Sequence, residues 1–243
     1  MPIALPHRRT LLRASAAALA LPWLAHAQEP IAGGRPITLV VSYPAGGGAD
    51  LMARLIAQPL SQALGQPVVV DNKPGASGQI AASQVARATP DGTQLLLDAS
   101  SFSVNPSLFP RLPYDTDAAF TPLAVLALFP NVLVCTPSFE ARSVRDLLRL
   151  AKARPGQISY ASSGNGSAQH LAGALFEVMT GTSLVHVPYR GGGPALNDVI
   201  AGQVPLFFAN VASSLGHIHA GKLRPLATTS RRRARSLPDV PTM

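Results

Sequence analysis

Three glycine-rich turns hold the residues best suited to chemistry in this sequence, and that chemistry is anion binding. The first, Tyr43-Pro44-Ala45-Gly46-Gly47-Gly48-Ala49-Asp50, follows the apolar run 37–41 and precedes a helical pattern. A strand that enters a glycine turn and then a helix aims free backbone N–H groups and the positive end of a helix dipole at one place. Tyr160-Ala161-Ser162-Ser163-Gly164-Asn165-Gly166-Ser167 and Pro188-Tyr189-Arg190-Gly191-Gly192-Gly193-Pro194 repeat the arrangement. Ligands of open α/β sheets sit beyond the carboxyl ends of the strands. Three such turns shared between two lobes therefore predict an anion site in a cleft, although each one alone reads equally well as a tight turn.

Other chemistries fit less well. Gly46-Gly47-Gly48 lacks the Gly-Lys-Ser/Thr that completes a phosphate loop. Gly164-Asn165-Gly166-Ser167-Ala168 is no dinucleotide fingerprint, because Gln169 stands where a third glycine belongs, and it is no nucleophile elbow. Ser167 reads as the first helical turn, capping the helix or donating to a ligand. His170 either lines the cleft or packs on its helix. A hydrolase using Ser163 or Ser167 with His170 is the weakest alternative. His217 and His219 have no carboxylate or cysteine partner in their spacing, so neither a metal site nor a cofactor is expected. Cys135 is the only cysteine and sits in an apolar run, which predicts a buried structural thiol.

The elements that must position these turns form a βα series. The run 37–41 is a strand of the kind covered on both faces, and Leu51, Leu55, Ile56 and Leu60 follow at helical spacing, with Pro59 expected to kink or divide that helix. Strands are predicted over 68–70 and 93–97 with a helix over 78–88 between them, and Thr89-Pro90-Asp91-Gly92 is a turn. A Pro-, Ser- and Asn-rich loop is expected over 100–113, then strands over 123–128 and 132–134. Beyond lie helices over 144–151, 168–178 and 195–201 and strands over 158–161, 184–187, 206–209 and 223–227. Such alternation predicts an α/β fold with mostly parallel sheets and right-handed crossovers.

Composition narrows the function. Of 243 residues, 47% are hydrophobic and 13% charged, so the chain can bury a core. Arg8 and Arg9 precede the alanine-rich segment 11–24, and Ala25-His26-Ala27 offers a cleavage pattern before Gln28. Residues 1–27 therefore read as an export signal, of the secretory or the twin-arginine type. The signal's apolar core is too short to span a membrane. The +8 charge is local: without Arg8, Arg9 and Arg13, 17 basic residues face 12 acidic ones, and without Arg231, Arg232, Arg233 and Arg235 as well the count is 13 against 12. With 5% aromatic residues and an export address, nucleic-acid binding is not expected.

The ordered set of Tyr43-Pro44-Ala45-Gly46-Gly47-Gly48, VVVDNKPG at 68–75, Asn105-Pro106-Ser107-Leu108, Pro113-Tyr114-Asp115, Gly164 to Ser167 with His170, HVPYRG at 186–191 and LPDVPT at 237–242 resembles the solute receptors of tripartite tricarboxylate transporters, the Bug family. The resemblance covers nearly all of the chain after the signal. It implies a periplasmic receptor of the type II flytrap architecture, with a first lobe over 28–126 and a second over 127–243. Such a receptor closes on a small carboxylate and hands it to a membrane permease with a large and a small subunit; an exported sensor of the same fold is the alternative. Carried onto this sequence, the first-lobe contacts are Tyr43, Ala45, Gly46, Gly47 and Asp50, with Ser77 and Ser101. The second lobe offers Ser163, Asn165, Gly166, Ser167, His170, Tyr189 and Asn210.

Three departures qualify the match. Ala209 stands where many relatives carry an acid. Asp98 stands where the family leads one to expect a small neutral residue, and an acid there would repel a second carboxylate or receive an amino group. Relatives also continue past the LPDVPT motif, so the segment returning to the first lobe is expected to be missing, leaving apolar surface uncovered.

Overall fold

A computed structural model describes residues 31–243; the export signal expected over 1–27 lies outside the described residues. Two α/β lobes result, each built on one sheet. In the first, β1 (Ile37–Val41) lies between β2 (Val68–Asn72) and β3 (Gln94–Leu97), and both pairings are parallel. The β-branched stretch of β1 buries Ile37, Val40 and Val41 completely. Helix α1 (Gly48–Leu64) covers one side, and its Ala53 joins Leu39, Val41 and Leu97 in a small core. Pro59 lies inside α1, so of the kink or division expected there the division does not occur, and the helix ends where Gly65 turns left-handed at φ 64°. Helix α2 (Gln79–Ala86) leads into β3.

Two sequence expectations fail in the crossing between the lobes. Residues 100–113 do not form one loop, because α3 (Ser100–Leu108) is helical in spite of Pro106. Tertiary anchors override the poor propensity: Ser101 and Asn105 are buried, and the Asn105 amide donates to the Ser77 carbonyl at 2.9 Å. The predicted strand over 123–128 does not form. No neighbouring strand pairs with it, and Leu123, Val125 and Leu128 are 73%, 80% and 89% exposed. An apolar run without a ladder partner has nothing to make it a strand.

The second sheet has the order β6 (Val185–Pro188), β5 (Ser159–Ser162), β7 (Leu206–Asn210), β4 (Asn131–Cys135), β8 (Arg224–Thr228). β5 runs parallel to β6 and β7, whereas β4 runs antiparallel to β7 and β8. Helices α4 (Val144–Ala153), α5 (Ala168–Thr180), α6 (Gly192–Ile200) and α7 (Val211–His219) complete the lobe. The sequence reading did not anticipate α7, whose Ser213, Ser214 and Gly216 are weak helix formers.

Both faces of this sheet are covered, as period-two alternation requires. Val132 and Val134 of β4 with Phe207 and Ala209 of β7 face α6 and α7 residues such as Val199 and Val211. Leu133, Cys135, Leu206 and Phe208 face Leu147 of α4 and Phe176 of α5. Cys135 is a buried free thiol, and burial raises its pKa. The LPDVPT motif has a structural role: Leu237 and Val240 enter the first of these cores, and Thr228 of β8 bonds through its N–H to the Pro241 carbonyl at 2.8 Å.

Candidate ligand site

Four helix N-termini converge between the lobes. A cavity of about 70 Å³ is lined by Gly47, Gly48 and Ala49 at the start of α1, Ser163 ahead of α5 and Gln169 in its first turn, Gly192 of α6, and Asn210 and Ser213 at the start of α7, with Tyr43, Ala99 and Phe207 completing its walls. Two of the helices cap themselves. Ser167 accepts from the His170 N–H at 3.3 Å to cap α5, and Asn210 accepts from the Ala212 N–H at 2.9 Å to cap α7. The other two, α1 and α6, begin behind Gly47 and Gly191, and among the described residues no side chain caps either one. Their first-turn N–H groups and dipoles are left for a ligand. Among the described residues no charged side chain lines the cavity.

Glycine is required where the lobes meet. A Cβ on Gly48 would stand 3.0 Å from Cγ of Asn210, and one on Gly191 would collide with the Pro44 ring. A Cβ on Gly193 would stand 3.2 Å from the Ala45 carbonyl oxygen and one on Gly47 3.8 Å from Gly192 N, so the two turns approach backbone to backbone. A further bridge runs from the Ser77 hydroxyl, which donates to the Asn165 carbonyl at 3.0 Å. Ser77 has φ 53°, a left-handed conformation uncommon for a residue with a side chain.

The residues expected to bind fall into two groups. Tyr43, Gly47, Ser163 and Asn210 line the cavity. Ala45 and Gly46 lie at the exposed edge of the same turn, where the Ala45 carbonyl faces Gly193. Asp50 supports that turn from behind: its Oδ2 accepts from the Gly46 N–H at 3.0 Å and from Arg54 Nε at 3.0 Å. Burial alone would raise its pKa, but the Arg54 and Gly46 hydrogen bonds outweigh that and hold the carboxyl below its ordinary range.

The remaining side chains are engaged with other protein groups. The Ser101 hydroxyl lies 2.8 Å from both the Tyr43 hydroxyl and Asp98 Oδ1. Gly166 donates through its N–H to His170 Nδ1 at 3.1 Å and packs under Val104 and Leu108. The His170 ring stacks on His186 with centroids 4.1 Å apart. Burial lowers the pKa of His170 and pushes that of His186 down to about 4, so both rings are neutral. Tyr189 donates to Asp198 Oδ2 at 2.7 Å. Burial, with that carboxylate, pushes the phenol up to about 12. Ser163 donates to Gln169 Oε1 at 2.7 Å and Ser167 to the Gly164 carbonyl at 2.7 Å, so neither hydroxyl is paired with His170 as a nucleophile would be.

Gly48, Ala49, Gln169, Gly192 and Ser213 line the cavity although the family resemblance did not carry them over as contacts; Gly48, Ala49 and Gly192 lie in the glycine turns. Each lies in the first turn of a helix, and that position was the available signal.

Two α/β lobes with helix N-termini turned toward a shared cleft make the architecture of a periplasmic binding protein. The chain belongs to the tripartite tricarboxylate transporter receptor family, whose sequence profile matches residues 52–243. Among curated relatives it is similar to protein BugT of Bordetella pertussis, with 41% identity over 86% of this chain, and to a UPF0065 protein from the tcbD-tcbE intergenic region of Pseudomonas sp. (strain P51), also with 41% identity over 86%. The chain spans 65% and 62% of the length of those two relatives, respectively. Among solved structures, Rpa4515 of R. palustris with adipate superposes with a TM-score of 0.84 and 40% identity, over 86% of this chain and 70% of that one. MatC (Rpa3494) of Rhodopseudomonas palustris with bound malate gives 0.80 and 31%, over 86% and 71%.

Proposed function

We propose that this protein is a periplasmic receptor that captures an organic carboxylate between its lobes and delivers it to the permease subunits of a tripartite tricarboxylate-type secondary transporter. The observation that carries this reading is the pair of uncapped helix N-termini, α1 and α6, facing one uncharged cavity. Each N-terminus contributes about 0.3–1 kcal/mol to holding an anion, and more when partly buried. Charge-assisted hydrogen bonds to a carboxylate add about 1.5–3 kcal/mol each. Three or four of them suffice for binding in the micromolar range once the entropy of association is subtracted.

The family relationship and the carboxylates bound by Rpa4515 and MatC support the ligand class. The delivery step rests on the family alone. In this reading residues 1–27 direct export, 28–126 and 127–243 are the two lobes, and binding draws them together through Ser77 and Asn165. Capture requires no covalent step. A thermal-shift screen of mono-, di- and tricarboxylates tests the proposal: a bound ligand at a hundred times its dissociation constant adds about 2.7 kcal/mol of stability. Folded protein unmoved by the whole panel would contradict it.

A further inference from the structure

Asp98 lies at the carboxyl end of β3, under the loop that touches the second lobe. Its Oδ1 accepts from the Ala99 N–H at 2.6 Å and from the Ser101 hydroxyl at 2.8 Å. Its Oδ2 is buried directly beneath Gly78, where a Cβ would stand 2.8 Å from it, and among the described residues it has only the neighbouring Ser42 hydroxyl to turn to. None of the ion pairs among the described residues involves Asp98. Its hydrogen bonds all come from neutral donors, so its charge has no cation opposite it among the described residues.

Ser101 links this acid to the cleft. Its single hydroxyl proton, given to Asp98, leaves only lone pairs for the Tyr43 hydroxyl 2.8 Å away. Tyr43 must then donate to Ser101, and Tyr43 forms part of the cavity wall. While that acid is ionised, it sets the direction of the chain.

We propose that Asp98 is a specificity-determining residue: through Ser101 it makes the Tyr43 wall an acceptor in a negative field, favouring a carboxylate that carries an ammonium or hydroxyl group over one that lacks it. The inference rests on the receptor reading and narrows its ligand class to amino and hydroxy acids. The uncapped helix ends hold the carboxylate, and the donor group turns toward Tyr43. An ammonium group gains from the unpaired acid as well as from the acceptor. Burial raises the Asp98 pKa, as expected of an anion that lacks a positive neighbour.

Succinate, malate and aspartate share one carbon skeleton and differ in having no donor, a hydroxyl or an ammonium group. Isothermal titration of the wild-type chain at pH 7.5 is expected to give malate and aspartate at least tenfold tighter binding than succinate. In Asp98→Asn, checked for folding by its melt, the preference should shrink to within about threefold, and Tyr43→Phe should reduce it as well. Succinate binding as tightly as the other two in the wild type overturns the inference, and so does an unchanged preference in folded Asp98→Asn. Should that variant fail to fold, the wild-type ratio decides. Failure of folded wild type to bind any of the three or any other carboxylate contradicts the receptor reading itself, whereas tight binding of succinate contradicts only this refinement.

Discussion

Gly48, in the first turn of α1, faces the side chain of Asn210, the residue that caps α7 from the other lobe; a Cβ on Gly48 would stand 3.0 Å from Cγ of Asn210. Two helix N-termini from different lobes thus meet so closely that a methyl group would force the Asn210 side chain to move. Gly48→Ala should push Asn210 from its cap or hold the lobes apart. Titration with a bound carboxylate should show a loss of tenfold or more in affinity, while the melting temperature changes little, because Gly48 is a helical position that accepts alanine. Unchanged affinity would remove this contact from the site.

Asp50 supports the first turn without lining the cavity. Asp50→Ala removes the acceptor of the Gly46 N–H and the partner of Arg54. Hydrogen bonds to a charged group contribute about 1.5–3 kcal/mol. A stability loss of about 2–3 kcal/mol in urea titration is expected, together with weaker ligand binding. Asp50→Asn, which keeps an acceptor, should recover part of both.

Gly173 of α5 lies directly on the ring of Tyr160, which is fully buried. Gly173→Ala overpacks that contact and should cost about 1–3 kcal/mol of stability. Ligand affinity at saturating folded protein should be unchanged, because the contact lies in the second lobe's core and not at the cleft. A variant as stable as wild type would show that α5 can shift at no cost.

The stacked pair His170 and His186 predicts acid sensitivity. His186 Nε2 lies 2.6 Å from the Ser162 hydroxyl, and burial, then the neighbouring His170, pushes its pKa down to about 4, against about 6.5 in an unfolded chain. Between these values the unfolded state binds more protons, so stability is full above about pH 6.5 and falls as pH drops toward 4. Partial exposure of the ring reduces the effect to about 2 kcal/mol. Urea melts at pH 7, 5.5 and 4.5 measure it, and His186→Asn should flatten the slope relative to wild type. Equal slopes would assign the acid sensitivity to other groups.

Much of the fold was legible because its strands are continuous apolar runs. Ile37–Val41 and Asn131–Cys135 are covered on both faces, so burial itself writes the pattern. The failures have a common cause in tertiary context. Ser100–Leu108 is helical because Ser101 and Asn105 reach partners far away in sequence, and residues 123–128 are not a strand because no neighbour pairs with them. Glycine turns identify the cavity rim, since backbone N–H groups need no particular side chain. Residues chosen for their side-chain chemistry, such as His170 and Tyr189, are engaged by His186 and Asp198, and a sequence does not display those pairings.

In the proposed function, the uncapped helix N-termini of α1 and α6 hold a carboxylate by its charge. Isothermal titration of the folded chain with malate and, separately, with its diamide isolates that charge, because the diamide keeps the skeleton and the hydroxyl. The account predicts one malate per chain and binding of the diamide at least tenfold weaker. Equal affinity for the two compounds would contradict it.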